Sequence, residues 1–109
     1  MQTITAIEAL GALAHPHRLA IFRLLVTQGR EGLCAGTIAE RVGMVPSSLT
    51  FHLQALQRAG LILQRRKSRQ LYYSADFAVM QDLVGYLTEN CCAAEGTNCT
   101  AVREVARAC

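Results

Sequence analysis

Between Ala35 and Gly60 two stretches of helical periodicity are separated by only Gly43-Met44-Val45. That spacing limits the fold more than any other feature of the chain, because two short helices joined by a glycine-containing turn make a helix-turn-helix. The first helix is predicted over Ala35–Val42, with Ile38, Ala39 and Val42 inward and Gly43 as its stop. The second is predicted from Pro46, suited to a first helical position, to about Ala59, with Gly60 closing it. At helical spacing Leu49, Leu53 and Leu56 fall within about 60° of one another and must face the core. Ser47, Thr50, Gln54, Gln57 and Arg58 fall on the opposite arc, with Ser48 and His52 at its borders and Phe51 also outward. This arc holds no acid, and its groups hydrogen-bond to bases or phosphates.

Two strand-like runs follow, Leu61–Arg65 and Gln70–Ser74, around the basic tip Arg66-Lys67-Ser68-Arg69. They predict a hairpin attached directly to the helix-turn-helix, which is a wing. Charge is distributed accordingly. Residues 1–40 are neutral and residues 76–109 sum to −3, whereas residues 41–75 hold Arg41, Arg58, Arg65, Arg66, Lys67 and Arg69 without one acid. A charge run alone is equally compatible with a solvated face. Concentration of four of the six cations at one hairpin tip favours a polyanion-binding surface.

The flanks are helical. Ile4, Ile7, Leu10 and Leu13 predict an amphipathic helix over Thr3–Leu13, and Pro16 opens a second to Gln28 that buries Leu19, Ile21, Phe22, Leu25 and Val26. Gly29 and Gly32 mark a loop. From a plausible N-cap at Asp76, the residues Phe77, Met80, Val84 and Leu87 predict a last helix ending at Cys91-Cys92. The expected class is mainly α, in the order α-α-α-α-β-β-α. The middle helices supply a core, so the first and last have apolar faces to spare. They could complete a monomer core, but their mutual burial in a homodimer through the first and last helices is the economical answer, and it would set two recognition helices about one DNA turn apart.

Composition agrees. The chain is 51% hydrophobic, 17% charged and only 6% aromatic, with no Trp, which suits a folded helical domain and argues against a β-sandwich. With 109 residues we expect one winged helix-turn-helix and dimerisation domain over 1–92 and a cysteine-containing tail over 93–109. No apolar run has the length of a membrane span, and the N-terminal residues lack the pattern of a secretion signal, so a cytoplasmic protein is expected, without membrane contact. Neither a Gly-rich phosphate loop, a Cys-x-x-Cys motif nor an acid/base pair is present, so an enzyme is not expected.

Three segments, LGALAHPHRLAIFRLL (Leu10–Leu25), SSLTFHLQALQRAGLI (Ser47–Ile62) and RRKSRQLYYSA (Arg65–Ala75), together resemble the ArsR family of winged helix-turn-helix metalloregulators over about residues 4–90. The resemblance implies a homodimeric repressor of double-stranded operator DNA that is released by a toxic metal or metalloid. It implies DNA contacts from Ser47, Ser48, Thr50, His52, Gln54, Gln57 and Arg58 in the major groove, and from Arg66, Lys67 and Arg69 of the wing. Two family sites are not matched. Where arsenic and cadmium sensors often carry Cys-Val-Cys, this chain has Cys34 alone, and all three histidines (His15, His17, His52) precede the last helix used by zinc sensors. His15 and His17 flank a proline at a helix start, where capping or surface roles are expected, and His52 is expected chiefly to support the recognition helix.

Five cysteines in a reducing compartment are more readily explained as reactive thiols than as disulfides. Cys91, Cys92 and Cys99 crowd together, and Gly96 and Asn98 let the intervening chain double back. Soft thiolates select thiophilic ions, and trivalent arsenic takes three sulfurs in a pyramid. The TENCC run also resembles family members that bind arsenic at the end of the last helix. The expected inducer is therefore trivalent arsenic (arsenite) or antimony, with no permanent cofactor and with Cys34 and Cys109 as possible accessory thiols. A redox switch or a response to cadmium, lead or zinc on the same fold is the alternative.

Overall fold

The computed structural model describes residues 1–95. Helices α1 (Thr3–Leu13) and α2 (Pro16–Gln28) lead into a short strand β1 (Leu33–Cys34), then α3 (Ala35–Val42) and α4 (Pro46–Arg58). Strands β2 (Ile62–Lys67) and β3 (Gln70–Ala75) and helix α5 (Phe77–Thr88) follow, with a 3-10 turn at Ala93–Glu95. The chain thus adopts the mainly α, winged helix-turn-helix architecture expected from its sequence.

The turn between α3 and α4 is fixed by backbone hydrogen bonds. Gly43 adopts the left-handed conformation, its N–H donates to Glu40 O, and Met44 N–H donates to Ala39 O. This double closure satisfies carbonyls that the end of α3 would otherwise leave unpaired. Pro46 then starts α4 at a position where the missing N–H costs no hydrogen bond. The same closure ends α4, through Gly60 N–H to Gln57 O and Leu61 N–H to Leu56 O. Leu49, Leu53 and Leu56 are fully enclosed, together with Ile21 and Leu25 of α2 and Ile38 of α3. Burial of each such side chain contributes about 1.5–3 kcal/mol, so this apolar centre holds the two helices of the motif at a set angle.

Three expectations are corrected. The first helix turns its alanines, not its larger residues, to the core. Ala6, Ala9 and Ala12 are buried, whereas Ile4, Ile7 and Leu10 are exposed. Small side chains let α1 lie close against α2 and α4, which puts its bulky flank outside. In α2, Ile21, Phe22 and Leu25 are buried as expected, but Leu19 is exposed. The last helix stops at Thr88, so Cys91-Cys92 lies beyond it and does not end it. Asn90 and Cys92 have φ of 58° and 65°, a turn conformation that cannot continue a helix. Within α5 only Leu83 is buried, while Val84 and Leu87 are exposed. The helix start is as expected, with the Asp76 carboxylate accepting from Val79 N–H at 3.2 Å.

Strand β1 was not legible as a strand. It lies on the free side of β3, giving an antiparallel sheet of order β1-β3-β2 with Leu33 opposite Tyr73. In the hairpin Ile62 pairs with Ala75 and Lys67 with Gln70, so β2 runs two residues further than expected and the turn shrinks to Ser68-Arg69. Ser68 has a φ of 59°. Only the base of the hairpin joins the core, through Ile62, Tyr73 and Ala75.

Gly32 enters β1 with a φ of 70°, and a Cβ there would overlap the Tyr73 carbonyl oxygen. Gly32→Ala combines backbone strain with a backbone clash, so it is expected to lower unfolding free energy by about 2–3 kcal/mol in urea denaturation. A change under about 0.5 kcal/mol would show that the β1–β3 contact contributes little.

Candidate nucleic-acid interface and thiol pair

Helix α4 presents one continuous polar surface. Ser47, Ser48, Thr50, Gln54, Gln57 and Arg58 are all exposed, and Phe51 is 58% exposed beside them. The Thr50 hydroxyl donates back to Pro46 O at 3.1 Å. No side chain caps the first turn of α4, so its leading N–H groups stay open to an acceptor such as phosphate. Arg66, Lys67 and Arg69 are exposed at the wing tip, whereas Arg65 reaches back so that its Nη2 donates to Glu31 O at 3.2 Å. A polar chain ties wing to helix: Gln57 Nε2 donates to Gln64 Oε1 (3.4 Å), and Gln64 Nε2 donates to the Tyr73 hydroxyl (3.1 Å).

His52 departs from the expected DNA-contact set. It is only 9% exposed and turns toward α2, where Arg18 Nε donates to its Nδ1 at 3.1 Å. The arc therefore loses one member whose polar group is used internally. Burial first, then the nearby charges of His15, Arg18 and His17, hold His52 below the usual histidine range. His15 accepts from His17 N–H, the capping role expected beside Pro16. Sequence reading did not single out Arg18. Its partner on α4 is distant along the chain, and the α2 face offers no local sign of the pairing.

The described thiols form two groups. Cys34 precedes α3 and lies 3.3 Å from the Thr37 hydroxyl. The Thr37 side chain, then its backbone, hold this thiol below the ordinary cysteine range by hydrogen bonding that favours the thiolate. Cys91 and Cys92 bring their Sγ atoms to 3.4 Å just past α5. Cys99 and Cys109 lie outside the described residues, and among the described residues no three His, Cys, Asp or Glu side chains converge to hold a metal ion. Thr3 of α1 and Tyr86 of α5 join through their hydroxyls at 2.5 Å. The exposed flank of α1 (Ile4, Ile7, Leu10) and that of α5 (Val84, Leu87) are thus carried by two linked helices.

Helix-turn-helix, basic wing and acid-free outward arc define a DNA-binding winged-helix protein. A family model described as a helix-turn-helix domain matches residues 13–65. The transcriptional repressor SdpR of Bacillus subtilis is 34% identical over 76 residues, covering 70% of this chain and 81% of SdpR. The nodulation protein NolR of Rhizobium meliloti is 34% identical over 80 residues, or 73% of this chain, which spans only 63% of NolR. Among solved structures, the homodimeric winged helix-turn-helix DNA-binding domain of a possible ArsR-family regulator from Mycobacterium bovis superposes with a TM-score of 0.63. It is 31% identical, with 80% of this chain and 81% of that one covered. The chain belongs to the ArsR family of winged helix-turn-helix transcriptional regulators, which is a family of DNA-binding proteins and not of enzymes. Among the described residues no helix is long and apolar enough to cross a membrane.

Proposed function

We propose that this protein is a homodimeric repressor that binds operator DNA through α4 and the wing, and that trivalent arsenic at Cys91, Cys92 and Cys99 releases it. The observation that carries the inducer is the thiol pair itself, two sulfurs at 3.4 Å beyond the last helix. Such a pair supplies two of the three soft donors that a pyramidal arsenic requires, and the third has to come from beyond the described residues, where Cys99 stands. The dimer is supported by the apolar flanks of α1 and α5 and by the homodimeric relative.

In the protein's own terms, Ser47, Ser48, Thr50, Gln54, Gln57 and Arg58 meet base edges and phosphates, while Arg66, Lys67 and Arg69 meet the duplex backbone. The sulfurs follow α5, whose exposed flank belongs to the dimer seam. A ligand gathering them restrains the chain leaving that helix and favours a different spacing of the two α4 helices. Affinity for the operator then falls in proportion to the ligand's preference for that second state.

The test is release of a fluorescent operator duplex titrated with arsenite, antimonite, cadmium and zinc. Arsenite is expected to release the wild type. Cys91→Ser, Cys92→Ser and Cys99→Ser should each keep operator affinity within about threefold while raising the arsenite needed by about 100-fold, since each removes one metal–ligand bond. Release that survives all three replacements overturns the assignment. Release by peroxide but not by arsenite also overturns it and makes the pair a redox switch.

A further inference from the structure

Three histidines, His15 at the N-cap of α2, His17 within α2 and His52 of α4, meet behind the outward arc of α4. Ring centroids lie 4.7 Å apart for His15 and His52, 5.6 Å for His15 and His17, and 5.7 Å for His17 and His52. The cluster sits beneath Phe51, whose ring meets His52 edge-on at 5.6 Å and carries the Arg18 guanidinium 5.6 Å from its centre. One arginine from α2 therefore grips two consecutive residues of α4, one buried and one facing outward.

The protons in this cluster are constrained. Arg18 Nε always carries hydrogen, so His52 Nδ1 must be the acceptor and its own proton must lie on Nε2. His15 Nδ1 is likewise an acceptor, for the His17 N–H. A proton added to Nδ1 of either ring puts two N–H groups face to face and breaks the bond. We infer that Arg18 and His52 are positioning residues for α4, holding Phe51 and the outward arc in place while the His52 Nδ1 remains an acceptor, so that DNA binding weakens in mild acid.

The surroundings reinforce this. From α2 and its N-cap the groups facing His52 are His15, His17 and Arg18, and each disfavours a charge on it. From α1, Glu8 lines a cleft shared with Arg18 and with Arg58 of α4. On α3, Glu40 and Arg41 are exposed, as are Arg65, Arg66 and Lys67 on β2. Because burial holds His52 below the ordinary histidine value, its hold on α4 is complete above that value. It weakens as pH falls through about 6.5 toward the lowered one.

This inference rests on α4 being the DNA-reading helix, and its sign separates it from simple electrostatics. Extra positive charge on His52 would by itself tighten binding to a polyanion in acid. The experiment measures affinity for an operator duplex, selected from random sequence at pH about 8, as pH is lowered to about 5.5; one linked proton changes affinity by at most about tenfold per unit. Wild type is expected to lose about tenfold over this range, while His52→Asn, which keeps an acceptor at the same place without titrating, stays within about threefold. Unchanged or tighter binding by wild type in acid overturns the inference, as does a parallel loss in His52→Asn. Imidazole nitrogen NMR of the wild type at pH about 8 gives a second reading independent of any variant, and a hydrogen found on His52 Nδ1 also overturns it. Absence of any duplex binding at that pH is a different result, the failure of the DNA reading itself.

Discussion

Replacing Arg66, Lys67 and Arg69 together by alanine is expected to weaken operator binding by about 100-fold or more near physiological salt and to flatten its salt dependence. The three cations are exposed at the hairpin tip and belong to no part of the core, so their loss is expected to leave folding unaffected. Each phosphate contact contributes about 0.9 to the slope of log affinity against log salt, so three contacts per protomer lower a dimer's slope by about five. Binding measured at four salt concentrations separates this from a loss of base recognition, which would weaken affinity without changing the slope. A variant with the wild-type slope would show that the wing does not meet the duplex.

Ile7→Glu and Leu87→Glu, separately, are expected to yield a folded monomer that binds a two-half-site operator at least about 100-fold more weakly. The side chains are 62% and 58% exposed in the single chain, so neither substitution disturbs the core. In a dimer seam the same positions would bury an unpaired carboxylate, which costs several kcal/mol, enough to separate the protomers. A monomer retains one α4 and forfeits the gain from engaging two half-sites at once. Sedimentation velocity reads the assembly state and circular dichroism the fold. A variant that remains dimeric would move the interface off these two flanks.

Much of this molecule is visible in its sequence because local signals decide it. Glycines at 43 and 60 and prolines at 16 and 46 set the helix ends, and a leucine stripe sets the buried face of α4. Elements decided by contacts distant in sequence were hidden. Strand β1 has two residues, too few to alternate, and exists because β3 offers it an edge. The inward alanines of α1 carry almost no hydrophobic signal against Ile4 and Ile7, although they are what fits. His52, a border residue on a helical wheel, was readable as a support for α4, but its partner Arg18 was not, because it comes from α2. Of the thiol site, the vicinal pair was evident, but its place after α5 was not, because left-handed Asn90 and Cys92 end a periodicity that the residues themselves would have allowed to continue.

The link from Gln57 through Gln64 to Tyr73 joins the wing to α4 within one protomer. If the two meet a duplex together, sites that fit their relative placement with little distortion would be favoured, so the deformability of base steps that no side chain touches would help to distinguish a true operator from a near copy.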